Sequence, residues 1–180
     1  MLGRHTVRVL GIDPGLSRCG YGVVDSLPLA AEHIVSAGLI QTAPSAPLGE
    51  RLSEFFTEIA ALIGDYRPDV VVVERILFRK NAKTAFGVVQ AVGLVHLACH
   101  QAGVAVLEYS AAEVKLAVAG HGAASKFQVQ RMVQIIGDLP SAPEPPDVAD
   151  AVALALCHLA NMRGGGAARA AAPAPLPQVD

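Results

Sequence analysis

Tryptophan is absent from this 180-residue chain, aromatic residues make up only 4% of it, and cysteine occurs three times. Cys19, Cys99 and Cys157 are odd in number, far apart and never in a CxxC pair. Neither a disulfide framework nor a thiolate zinc site is encoded, and a reducing cytoplasm is the expected setting. Strong charge of either sign is also missing. The formal net charge is −2, which denies the protein an overall positive field for attracting nucleic acid. Long apolar runs are lacking too. The longest, Val88 to Leu107, is interrupted by Gln90, His96, His100 and Gln101 and broken by Gly103, so it reads as a buried helix followed by a strand rather than a membrane span. Val7 to Ile12 is too short for a signal-peptide core, so export is not expected.

Alanine, valine and leucine are plentiful, which suits buried parallel strands covered by small-residue helices. The length allows one compact domain with a sizeable core. We expect that domain over residues 1–163. Residues 164–180 are Gly, Ala and Pro with no apolar periodicity, and we expect a disordered tail there.

Along the chain, Val7 to Ile12 and Gly20 to Asp25 are β-branched runs flanking Asp13-Pro14-Gly15 and read as a hairpin, with Ile34 to Gln41 as a third antiparallel strand. Leu48, Leu52, Phe55, Phe56, Ile59 and Ile63 recur at helical spacing, with Gly64 expected to close that helix. Val70 to Val73 is an uninterrupted valine run and reads as a central strand buried on both faces, with Glu74 at its end. Asn81 is positioned to cap a long helix to about Gln101, and Val104 to Leu107 follows as a strand. Ser110 with Glu113 and Ser125 with Gln128 have capping-box spacing and start two helices. Pro145 and Pro146 prepare a last helix from about Asp147 to Asn161. Three antiparallel strands followed by crossovers predict an α/β fold, a mixed five-stranded sheet with helices on both faces.

Four acids stand out on this scaffold. Asp13 and Glu74 end strands, while Asp147 and Asp150 lie one turn apart on one helix face. Gathered together, four carboxylates would raise one another's pKa values unless a cation intervened. Mg²⁺ suits such oxygen donors, and two ions ~4 Å apart stabilise the attacking and leaving oxygens of a phosphodiester displacement. This pattern points to a divalent-metal-dependent nuclease. Taken singly the acids have duller explanations: Asp147 and Asp150 suit a helix N-terminus, where Asp147 would be an N-cap. Glu74 is harder to explain so, because after four valines an ionised carboxylate needs a partner or a metal.

Basic residues flank these acids. Between Glu32 and Glu74 the bases are only Arg51 and Arg67, whereas between Arg75 and Arg131 the acids are only Glu108 and Glu113. Arg79, Lys80, Asn81 and Lys83 follow Glu74, and Lys115, Lys126 and Arg131 lie on or before later helices. They are candidates for neutralising DNA phosphates in a salt-dependent, sequence-blind way. His121, between Gly120 and Gly122, is a further candidate for touching phosphate. His96 and His100 lack the intervening Glu of a metalloprotease helix (Leu97 stands there), and half-buried, hydrogen-bonded histidines are expected. Gly120 to Lys126 lacks P-loop spacing. The Asp13-Pro14-Gly15 hairpin resembles the phosphate loop of actin-like kinases, but no second Asp-x-Gly hairpin accompanies it.

The motifs GIDPG (Gly11 to Gly15), GYGVV (Gly20 to Val24), VVVER (Val71 to Arg75), KNAKTA (Lys80 to Ala85), EVK (Glu113 to Lys115), AGHGAASK (Ala119 to Lys126) and PPDVADAVALALCH (Pro145 to His158) resemble, in order and spacing, those of the bacterial RuvC family of Holliday-junction resolvases. The resemblance spans about residues 7–160. It implies a ribonuclease-H-like fold, a homodimer, and paired Mg²⁺- or Mn²⁺-dependent nicks in a four-way DNA junction during recombination and repair. It also implies Asp13, Glu74, Asp147 and Asp150 as catalytic acids, Lys115 and Lys126 as DNA-engaging bases, and work beside the branch-migration proteins RuvA and RuvB. The family often places an aromatic wedge three residues after the strand-end acid. Here that position is Leu77, with Phe78 next, so either is the candidate wedge. Some relatives carry histidine at the position of Asp147; the all-carboxylate set is expected to favour hard cations. The rivals are another ribonuclease-H-like nuclease, acting on RNA or ordinary duplex DNA, and a junction-binding protein that does not cut.

Overall fold

A computed structural model describes residues 6–27, 32–75 and 82–163, with the side chains of 82–85 excepted. Its strands are β1 (Val7–Asp13), β2 (Arg18–Ser26), β3 (His33–Gln41), β4 (Val70–Glu74) and β5 (Ala105–Tyr109). The helices are α1 (Leu48–Tyr66), α2 (Ala82–Ala102), α3 (Ala111–Ala119), α4 (Lys126–Ile136) and α5 (Pro146–Arg163). The sheet runs β3-β2-β1-β4-β5; β1 pairs antiparallel with β2 and parallel with β4. The expected mixed sheet, three antiparallel strands and then parallel ones, is what forms.

Period-2 alternation gives the sheet two buried faces. Leu10, Ile12, Val23, Val71 and Val73 pack with Phe55, Ile59 and Ile63 of α1 and Ala91 and Val95 of α2. Val9, Val24, Val70 and Val72 pack on the other face with α3, α4 and α5. The four valines of β4 thus serve both cores, as a central parallel strand must.

α5 is the inner helix of the second face, buried almost continuously from Val148 to Leu159. It lies unusually close to β1 and β2. A Cβ at Gly11 would stand 2.0 Å from the Ala151 carbonyl oxygen, and one at Gly20 1.9 Å from that of Asp147. Only glycine permits this approach, and it lowers the start of α5 onto the strand ends. Deep in this layer the Tyr109 hydroxyl meets His158 Nδ1 at 2.9 Å.

Two local expectations need correction. Gly64 does not end α1; the helix continues to Tyr66, and Arg67 takes the left-handed cap position (φ 46°), its N–H donating to the Ile63 carbonyl. Pro68, which disfavours helical backbone in the residue before it, supplies the stop. His96 and His100 are exposed rather than half-buried, because the inward stripe of α2 falls on Ala91, Val95, Ala98 and Cys99. Both predicted capping boxes are present, at Ser110/Glu113 and Ser125/Gln128. Asn81 and the tail at 164–180 lie outside the described residues.

Candidate active site

Ile12 of β1 stands beside Val73 of β4, so Asp13 and Glu74 follow side by side where the parallel strands end. Their direction is set by alternation. Val9 and Gly11 on β1, and Val70 and Val72 on β4, face α5. Asp13 and Glu74 share that parity and project toward the start of α5. The glycines of β1 and β2 let the start of α5, which carries Asp147 and Asp150, close down on these strand ends, where Asp150 joins Asp13 and Glu74 in one cleft and Asp147 stands outside its lining. Because the helix begins at Pro146, Asp147 lies within its first turn and is not the N-cap.

Burial and neighbouring charge act on the two strand-end acids. Asp13 is pushed up to about 7, first by burial and then by the fields of Asp150, Glu74 and Asp147, with Lys126 partly offsetting them. Glu74 is raised by burial and by Asp150, against Lys126 and Lys115. For Lys126, burial favours the neutral amine, but its hydrogen bond to Asp150 and the fields of Asp150, Asp13 and Asp147 outweigh this and raise its pKa.

Asp13, Glu74, Asp150, Lys115 and Lys126 line a cleft of about 280 Å³ walled by Val114, Val129 and Leu154 of α3, α4 and α5. A larger cavity of about 590 Å³ at Arg8, Asp25 and Tyr66 holds no such cluster, and its Arg8 is committed to Asp25. The acid cluster lies in the smaller cleft.

Each α5 acid already holds a cation. Lys126 Nζ contacts Asp150, and Arg18, the first residue of β2, gives Asp147 Oδ2 two hydrogen bonds, from Nε at 3.1 Å and Nη2 at 2.8 Å. Among the described residues, no three acids, histidines or cysteines converge closely enough as they stand to hold an ion. The donor set nonetheless fits a hard divalent cation. It consists wholly of carboxylate oxygens, and two of its members carry raised pKa values that a cation would lower.

The other sequence candidates divide clearly. Lys115 and Lys126 reach the cleft. Arg131 does not; it lies on the outer side of α4 and donates to Gln134 Oε1 at 2.6 Å, since Val129 and Val133 take the inward stripe. His121 is exposed in the turn before α4 and is not among the cleft-lining residues. Leu77, Phe78, Arg79, Lys80 and Asn81 lie outside the described residues, as does the side chain of Lys83. Arg18 escaped sequence reasoning. An arginine opening a strand carries no local signal of a partner 129 positions away.

Residues 9–158 match the family model described as crossover junction endodeoxyribonuclease RuvC. The chain is 44% identical over 177 residues to the crossover junction endodeoxyribonuclease RuvC of Leifsonia xyli, covering 96% of this chain and 85% of that one. It is 40% identical over 153 residues to that of Caldicellulosiruptor saccharolyticus, covering 85% and 92%. Among solved structures, Thermus thermophilus RuvC in complex with a Holliday junction substrate superposes with a TM-score of 0.84 at 36% identity, over 89% of this chain and 97% of that one.

Proposed function

The chain belongs to the RuvC family of crossover junction endodeoxyribonucleases, and we propose that it resolves four-way DNA junctions by hydrolysing phosphodiesters at a site formed by Asp13, Glu74, Asp147 and Asp150. One observation carries the assignment of the site. Asp13 and Glu74 leave neighbouring parallel strands on the same face, and Asp13 is pushed up first by burial and then by the fields of the other three acids. Acids serving separate local purposes would not be coupled in this way.

The four carboxylates would hold Mg²⁺ or Mn²⁺, two ions per site. When bound, these supply an activated water and stabilise the departing 3′-oxygen, leaving 5′-phosphate ends. Lys115 and Lys126, on the wall of the same cleft, neutralise phosphates of the cut strand.

The proposed assembly is a homodimer, which presents two sites to a symmetric substrate. Phe86, Val89, Gly93 and Leu97 form one stripe of α2, and the three apolar side chains are 69%, 40% and 45% exposed. This stripe is the proposed interface; sedimentation as a monomer at micromolar concentration would count against it. By family likeness, RuvA and RuvB are the proposed branch-migration partners.

The direct test incubates a labelled four-way junction and a linear duplex of the same sequence with Mg²⁺, Mn²⁺ or EDTA. Symmetric, metal-dependent nicking of the junction is expected, lost in Glu74→Gln with junction binding retained. Equal cutting of both substrates would reassign the protein as a general ribonuclease-H-like nuclease. Tight junction binding without cleavage under any metal would make it a binding protein.

A further inference from the structure

Two strand arginines, Arg8 and Arg18, each pair with an aspartate, and the geometries differ. Arg8 grips Asp25 with the full fork, Nε to Oδ1 and Nη2 to Oδ2, both at 2.8 Å, and also donates to the Tyr66 carbonyl. The side chain of Asp25 is only 11% exposed. That pair is built into the fold. Arg18 instead places Nε and Nη2 on a single oxygen of Asp147, with the two side chains 51% and 31% exposed. An arginine fork satisfies itself best on two oxygens, as a phosphate offers. The Arg18–Asp147 contact is half-used and open to solvent, and exposed pairs of this kind are individually weak.

The backbone beneath Arg18 is held firmly. The Thr42 hydroxyl donates to the Leu16 carbonyl at 2.6 Å, the Thr42 N–H to the Ser17 carbonyl at 3.3 Å, and Arg51 Nη2 to Ser17 Oγ at 2.7 Å. Arg18 therefore leaves a fixed point beside Asp147, on the same face of the sheet as Gly20 and Asp13. Only its side chain is free to change partner.

We propose that Arg18 is an exchangeable counter-ion: it holds Asp147 in the free protein and transfers to a backbone phosphate of arriving DNA, which frees Asp147 to ligate the metal. Arg18 thereby becomes a substrate-binding residue, and metal loading is favoured once DNA is in place. The exchange is chemically even-handed, since a charge-assisted hydrogen-bond pair is surrendered as another is made. It rests on the nuclease reading above.

The test uses the full chain and Arg18→Ala, with Arg18→Lys retaining charge without the fork, and needs no turnover. Junction binding is measured in EDTA across a salt series, and Mn²⁺ binding to the DNA-free protein by calorimetry. Arg18→Ala should bind the junction more weakly, with the slope of log K against log salt reduced by about one, as loss of one phosphate contact requires. Its affinity for Mn²⁺ should rise by about twofold to fivefold, the strength of an exposed ion pair released from Asp147. Arg18→Lys should retain the salt slope and bind Mn²⁺ between the two. An unchanged salt slope in Arg18→Ala overturns the proposal, and so does unchanged or weaker Mn²⁺ binding, which would make Arg18 a brace for Asp147. Either result leaves the nuclease reading intact if the unaltered chain cuts the junction. Failure of the unaltered chain to bind Mn²⁺ or cut DNA would instead remove that reading.

Discussion

Asparagine at position 13 should make the metal-free protein more stable while abolishing its activity, and the size of the gain follows from the site. The Asp13 carboxyl is raised from 3.8 to about 7 in the folded chain. In this window the folded state binds more protons than the unfolded chain. The associated stability is fully present below the unfolded value of 3.8 and is lost as pH rises through about 7. At 1.36 kcal/mol per pKa unit the loss approaches ~4 kcal/mol; water entering an open cleft reduces it, so about 2–4 kcal/mol is expected. Asp13→Asn keeps the shape and removes the charge. Urea unfolding in EDTA should show near-equal stability at about pH 4 and a gap widening to about 1–2 M in midpoint by about pH 8, for a slope of ~2 kcal/mol per M. Mn²⁺ should reverse the order, stabilising the native chain and not the variant. A gap that does not vary with pH, or a variant less stable at about pH 8 in EDTA, would refute the argument that burial and like charge strain Asp13.

Gly20→Ala places a methyl group on the Asp147 carbonyl and should cost about 1–3 kcal/mol or more, with a larger fractional loss of cleavage because α5 carries two of the acids. Gly64→Ala, whose Cβ meets nothing within 4 Å, should instead stabilise by about 0.5–1 kcal/mol, and urea unfolding of both variants checks the two signs. Tyr109→Phe removes the partner of buried His158, whose pKa is already lowered by burial. It should lower Tm by about 2–8 °C, corresponding to about 1–2 kcal/mol, while junction cleavage at a permissive temperature stays unchanged.

Much of the framework was legible in the chain. The valine run of β4 fits only a strand buried on both faces, and the Ser110 and Ser125 boxes start α3 and α4 where their spacing says. The end of α1 was misread because glycine is tolerated within a helix and the following proline was the stronger stop. The exposure of His96 and His100 was missed because a long apolar helix does not say which of its faces is covered. Arg131 looked like Lys126 in sequence, yet helical rotation sends one outward and the other into the cleft.

By itself the sequence determined what local forces decide: strand and helix periods, caps, and the placing of Asp13 and Glu74 at strand ends and of Asp147 and Asp150 one turn apart. Those follow from backbone sterics and hydrogen bonds between near neighbours. Tertiary structure alone decided that β1 lies beside β4 in the register that aligns the two acids, that α5 descends onto Gly11 and Gly20, and that Arg18 finds Asp147. It alone raised Asp13 to about 7, because desolvation and the field of distant charges belong to the packed environment and not to any residue in the chain.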